Sequence, residues 1–194
     1  MNPHAHAAPS AWVRRFAHLV ESGPVLDLAC GGGRHTRLFA ERELNVIALD
    51  RDAQAIAALQ NDAALAERVQ ACVIDLEVAP QELAWPCAPR SLGAVVVTNY
   101  LHRPLFERLF ASLAEDGLFI METFAAGNGE FGKPSNPDFL LQPGELLQIL
   151  QAQGDMRVLA YEDGYVLAPK EAMVQRICAR KGGFGARPGL LGPL

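Results

Sequence analysis

The chain has 194 residues, half of them apolar, enough for one globular domain with a sizeable core. Its net charge of −5 implies no broad phosphate-binding surface, so no nucleic-acid partner is expected; the Arg180-Lys181 pair is too short a basic patch to change that. The longest apolar runs are strand-length, which excludes a transmembrane helix, and no membrane partner is expected. Oligomeric state cannot be read from the pattern.

The elements alternate along the chain. Met1 to Pro9, rich in Ala, His and Pro, lacks the basic start and apolar stretch of a signal peptide, and its His4 and His6 fit a frayed end better than a metal site. Ser10 is placed to cap a helix running to about Val20, with Trp12, Phe16, Leu19 and Val20 at helical spacing. Strands are expected near 24–29, 45–50, 70–75, 93–99 and 117–123, with helices near 34–43, 52–66 and 104–115 between them. Asp52 is a cap for the middle helix, and Asp116-Gly117 a stop signal after the next. A Gly-, Asn-, Ser- and Pro-rich segment, 125–142, interrupts the rhythm as a lid or a packed Ω-loop. Pro143-Gly144-Glu145 then opens a helix to about Gln151, and strands near 156–161 and 172–179 end the core. We expect an N-terminal segment and helix over 1–22, one α/β domain over 23–181, and a mobile Gly- and Pro-rich tail over 182–194.

Chemistry concentrates where strands end. The run Val25-Leu26-Asp27-Leu28-Ala29-Cys30-Gly31-Gly32-Gly33-Arg34-His35-Thr36 passes from apolar strand through an acid into a glycine turn and a helix. Such a turn offers unsatisfied backbone N–H groups at the C-terminal edge of an open sheet, where ligands bind. Two further apolar runs also close on acids, at Asp50 and at Asp75. Thr36 stands where a dinucleotide fingerprint needs its third glycine, and no lysine follows the loop as a nucleotide-triphosphate loop requires. The widely spaced Cys30, Cys72, Cys87 and Cys178 form no C-x-x-C pair, which argues against zinc or a disulfide scaffold, suits a reducing cytoplasm, and leaves Cys30 as a small apolar filler.

The glycine loop resembles motif I of the class I S-adenosylmethionine (SAM) methyltransferases, with Ala29 in the first glycine slot, and Asp50 and Asp75 extend the resemblance. Alanine at that slot suggests a residue with no need of positive φ. The resemblance runs from about Val25 to Arg180 and is nearest to compact bacterial tellurite-resistance-type enzymes acting on small molecules. It implies a doubly wound, Rossmann-like α/β sheet of seven strands, mostly parallel, whose final strand runs antiparallel beside the fifth. SAM, with S-adenosylhomocysteine as product, is the implied cofactor. By the same resemblance Asp50 holds the ribose hydroxyls, Asp75 the adenine amino group with Leu76 nearby, and Arg51 flanks the adenine. Asp27 and the backbone from Ala29 through Cys30 and Gly31 to Gly33 position the methionine moiety, with Asn99 a further contact.

The acceptor half is less legible. Asn99-Tyr100-Leu101-His102 stands where amino-methylating relatives carry Asn/Asp-Pro-Pro-aromatic, so that chemistry loses its support. Tyr100 offers an aromatic wall, His102 a base near neutrality, and Arg103 a cation for an anionic acceptor, unless it pairs with a surface acid. Glu122 either faces the acceptor or pairs with an arginine. The expected activity is methyl transfer to a small-molecule acceptor by direct displacement. An RNA or protein methyltransferase and a non-catalytic SAM- or S-adenosylhomocysteine-binding protein are the alternatives.

Overall fold

In the computed structural model, residues 7–79 and 81–182 are described, so the expected frayed start and most of the expected tail lie outside them. One seven-stranded sheet organises the chain: β1 (Val25–Leu28), β2 (Val46–Asp50), β3 (Val69–Val73), β4 (Leu92–Thr98), β5 (Leu113–Phe124), β6 (Met156–Val166) and β7 (Ala172–Lys181). Their spatial order is β3-β2-β1-β4-β5-β7-β6. The first five strands pair in parallel, and β7 runs antiparallel between β5 and β6. The expected sheet, with its inserted last strand, is the one found.

The strands of the middle are mostly apolar because both faces are covered. On one face, α1 (Ala11–Phe16) lays Trp12, Val13 and Phe16 against Val25, Ala94, Val96 and Ile120. The helix α2 (Arg34–Ala40) adds Phe39 to that cluster, and α3 (Ala53–Gln60) sets Ile56 and Leu59 on Ala48 and Ala71. On the other face, α4 (Phe106–Ser112) and α5 (Glu145–Gln153) bury Phe106, Leu109, Phe110, Leu146 and Leu150 over Leu28, Val97 and Phe119.

Local chemistry sets most boundaries. Ser10 Oγ accepts from the Trp12 and Val13 amides, and Asp52 Oδ1 from Gln54 and Ala55, so both expected caps form. Helix α3 stops at Gln60, six residues short of its expected end, and turns carry the chain to β3. Asp116-Gly117 is not the stop after α4. That helix already ends at Ser112, and Asp116 takes a φ of 62° within a register slip where β5 joins β4. Reversal of neighbour order between β1 and β4 makes the switch point at which an open α/β sheet receives ligands.

Candidate functional site

The glycine loop joins β1 to α2 with three residues in the left-handed region: Ala29 at φ 52°, Gly31 at 52° and Gly33 at 77°. The expectation that Ala29 avoids positive φ is therefore wrong. The loop keeps the conformation of a glycine there and accepts the strain of a Cβ, because Cys30 N must reach Leu49 O at 3.0 Å. Gly33 has a second constraint, since a Cβ would lie 2.4 Å from Leu59 Cδ2. Around Gly31, by contrast, a Cβ would meet no atom within 4 Å, so the loop opens outward there. Cys30 is buried, which pushes its thiol far above the usual range and suits a filler rather than a nucleophile.

Asp27, 1% exposed on β1, accepts from Thr36 Oγ1 at 2.6 Å and thereby ties the loop to α2. Burial raises its carboxyl to about 6, against the Thr36 bonds and Arg34 that favour the charge. His35 Nδ1 stands 3.9 Å from Asp27 Oδ1, and His35 Nε2 accepts from the Ser10 amide at 3.1 Å. A nitrogen that accepts carries no proton, and burial, then Arg34, lowers this histidine to about 3.

At the end of β2, Asp50 Oδ2 accepts from Gly31 N at 2.7 Å and Oδ1 from Asp52 N at 2.8 Å. The acid expected for ribose hydroxyls shapes the glycine loop, and each oxygen keeps a further lone pair. Arg51 beside it is exposed. Strand β3 ends at Val73 rather than Asp75, which stands exposed two residues on, its Oδ1 accepting from Glu77 N at 2.9 Å. Leu76, 5% exposed, faces the core with Leu83 and Val97 instead of the loop.

Beyond β4, Asn99 is exposed with φ 56°, and its amide donates to Glu122 O at 2.9 Å. Tyr100 is half-buried, and burial, then the Glu77 and Asp75 carboxylates, pushes its phenol above the usual range. His102 lines a small cavity with Tyr100, Leu28, Val97 and Met121, and its side chain caps nothing.

Arg103 is not the anion clamp the sequence suggested. Its Nε and Nη2 bind Glu145 at 2.6 and 3.0 Å, and Nη1 and Nη2 donate to the Asp138 and Leu140 carbonyls at 2.7 and 3.0 Å. A guanidinium so engaged is a strut between the turn before α4 and the 125–142 segment. That segment is pinned elsewhere by Asn128, whose Nδ2 donates to Pro134 O at 2.9 Å, and by an Ala125–Leu141 bridge. Packed in this way, it reads as an Ω-loop rather than a free lid.

Glu122 takes the arginine option. Its Oε2 accepts from Arg176 Nε, and its Oε1 from Ser10 Oγ at 3.0 Å; Arg176 continues to Glu162 at 3.1 Å, and Glu162 to Arg15 at 3.4 Å. Sequence reading passed over Ser10 as more than a cap, and over His35, Thr98 and Arg34. Arg34 reaches both Ala8 O and Thr98 Oγ1 at 3.5 Å, which brings the start of the chain beside the rim of the site. In α2 the run Arg34-His35-Thr36-Arg37 is wholly polar, so the local pattern does not mark His35 and Thr36 as its buried members. Among the described residues no cluster of side chains suits a metal, and no helix is long and apolar enough to cross a membrane.

Residues 25–117 match the methyltransferase domain family. The fold is that of TehB from Haemophilus influenzae, with a TM-score of 0.71 and 17% identity over 89% of this chain and 62% of TehB, so the chain spans under two thirds of that protein. A Burkholderia thailandensis 1,6-didemethyltoxoflavin-N1-methyltransferase, solved with 1,6-didemethyltoxoflavin and S-adenosylhomocysteine, superposes with a TM-score of 0.65 and 21% identity over 94% of this chain and 80% of its own. A SAM-dependent methyltransferase from Aquifex aeolicus gives 0.64 and 15% over 88% and 89%. No curated protein matches in sequence.

Proposed function

We propose, from the premise that residues 25–117 are a methyltransferase domain whose methyl donor is SAM, that the chain methylates a small-molecule acceptor by direct displacement. One observation carries this reading: Asp27, Asp50 and Asp75 stand at or just beyond the ends of three neighbouring parallel strands, around a glycine loop open at Gly31. The residues fit the cofactor in chemistry as well as place. Asp50 has a lone pair left on each oxygen for ribose hydroxyls, and Asp75 Oδ2 has no partner among the described residues for an adenine amino group. Arg51 is exposed beside Asp50 and free to flank the purine. Asp27 with the Ala29, Cys30, Gly31 and Gly33 backbone would seat the methionine end, and Asn99 would border it.

Bound SAM supplies a methyl group on a cationic sulfonium, ready for displacement. The chain's share is to orient the acceptor and exclude water, worth several kcal/mol of barrier by the general cost of ordering two reactants, roughly 7 or more at best. His102, half-buried at the mouth of its cavity, takes the proton of an acceptor that must lose one. Arg103 and Glu122 hold the walls and do not touch the acceptor. The neighbour solved with 1,6-didemethyltoxoflavin supports the small-molecule reading, as do the acidic balance and the absence of an Asn/Asp-Pro-Pro-aromatic run.

Calorimetric titration of SAM and S-adenosylhomocysteine into the protein and its Asp50→Ala variant tests the reading. Micromolar binding to the wild type, lost in the variant, is expected. A folded wild-type protein that binds neither ligand would overturn it.

A further inference from the structure

A second cavity, of about 120 Å³, lies at the opposite end of the sheet from the glycine loop. Its walls are the turn before β1, the start of β4, the slipped part of β5 and Arg180 near the end of β7. Gly23, Gly93 and Gly117 line it without side chains, which leaves the space open. Strands β1, β4 and β5 carry Asp27, Asn99 and Glu122 at or just beyond their other ends, so this cavity is separate from the site described above. Opposite charges line it without meeting. Arg180 is a half-buried, permanent cation whose Nε is shut away from solvent, and its guanidinium has no hydrogen bond or ion pair among the described residues. Directly across on β6 stands Arg157, so the cross-strand position adds a second cation rather than a counter-charge. The exposed acids Glu21, Glu115 and Asp116 line the same cavity, and none of them bonds to a cation among the described residues.

We infer that this cavity binds a compact zwitterion, a small α-amino acid, whose carboxylate meets Arg180 and whose ammonium meets Glu115 and Asp116. A partly desolvated guanidinium without a counter-charge costs stability, and a carboxylate is the group its paired donors fit. A simple anion would be repelled by the three acids, and a simple cation by Arg180; a ligand carrying both signs satisfies both walls. Size narrows the class. A cavity of roughly 150 Å³ holds a benzene-sized molecule. The space beside Arg180, at about 120 Å³, therefore matches glycine or alanine rather than an amino acid with a large side chain. Because the cavity lies at the far end of the sheet, the inference stands apart from the SAM-binding reading.

The test is calorimetric titration of glycine and L-alanine into the full chain, with propionate and ethylamine as probes that carry one charge each. The titrations are repeated on Arg180→Gln and on the double variant Glu115→Gln/Asp116→Asn, with thermal melts to confirm folding. Asparagine tolerates the φ of 62° at position 116. Wild type is expected to bind at least one of the two amino acids saturably, and either variant to bind it at least about tenfold more weakly, the cost of a lost charged hydrogen bond. Neither single-charge probe should bind comparably. Absence of saturable binding of both amino acids to wild type would overturn the inference, and so would propionate or ethylamine binding as tightly as alanine. Full affinity retained in either folded variant would overturn it as well. Should a variant not fold, discrimination by the wild type between alanine and the two single-charge probes still decides.

Discussion

Ser10 and Glu122, 112 residues apart, share a 3.0 Å hydrogen bond in which the serine hydroxyl donates. The same Oγ accepts from the Trp12 and Val13 amides, so one atom caps α1 and closes the charge row of Glu122, Arg176 and Glu162. Ser10→Ala is expected to lower unfolding stability by about 1–2 kcal/mol, from the lost cap and an acid short of one donor. Ser10→Asp keeps the capping oxygen yet sets a carboxylate against Glu122, and should be less stable than Ser10→Ala in urea titrations. The reverse order would mean that the cap alone matters.

Asp27 and His35 pull stability in opposite directions with pH. Asp27 is raised from 3.8 to about 6, so the folded state holds its proton more tightly; its contribution is full below 3.8 and lost as pH rises through 6. His35 is lowered from 6.5 to about 3, so its contribution is present above 6.5 and lost as pH falls. Between pH 4 and 6 the two slopes, each about 1.4 kcal/mol per pH unit, oppose one another. Wild type should therefore show a flat stability profile across that window. Asp27→Asn is expected to lose stability steeply on acidification, and to equal or exceed wild type at pH 8. A variant profile as flat as wild type in urea melts at pH 4.5, 6 and 8 would contradict the assignment.

His102 and Arg103 are adjacent but have separable jobs. Where the acceptor gives up a proton to His102, His102→Ala loses roughly 100-fold in kcat with the cofactor's affinity unchanged. Unchanged turnover would remove that role. Arg103→Ala frees the Asp138 and Leu140 carbonyls and the Glu145 carboxylate, so protease cleavage within 131–140 should accelerate while SAM affinity holds. Arg103→Lys should not restore protection, because an ammonium cannot make the paired contacts of a guanidinium.

Gly31 and Gly33 should respond differently to alanine. Both need positive φ, which costs a side chain about 1–2 kcal/mol. Gly33→Ala must in addition displace Leu59, whose Cδ2 lies 2.4 Å from the new Cβ, and so should be the more destabilised in denaturant titrations. Gly31→Ala meets no atom within 4 Å, and its larger defect should appear in cofactor binding, where the methyl group occupies the open side of the loop.

The order of elements was legible because it is local. Apolar runs of strand length, each closed by an acid, and caps such as Ser10 and Asp52 need only neighbours in sequence. The turn that places Asp27, Asp50 and Asp75 near one edge follows from alternation of strand and helix, since every parallel strand ends on the same side. Boundaries were less legible. Asp116-Gly117 looked like a helix stop, yet the chain had already left the helix at Ser112 to join β4 through a register slip.

What only tertiary structure decided is which charged side chain is spent on another. Arg103 and Glu145 lie 42 residues apart, and Glu122 and Arg176 lie 54 apart, and neither pairing leaves a mark in local pattern. A composition that puts arginines and acids near a site says nothing of their partners. Those are fixed when β7 inserts between β5 and β6 and when the 125–142 segment closes on itself beside Arg103. Ala29 makes the same point for the backbone: its residue type disfavours positive φ, but the reach of Cys30 N to Leu49 O, across two strands, outweighs that preference. The sequence by itself determined the order of the elements and the acids near the strands' C-terminal ends, through short-range periodicity. The packed fold alone determined the long-range pairings, because a hydrogen bond between distant segments exists only once the sheet has brought them together.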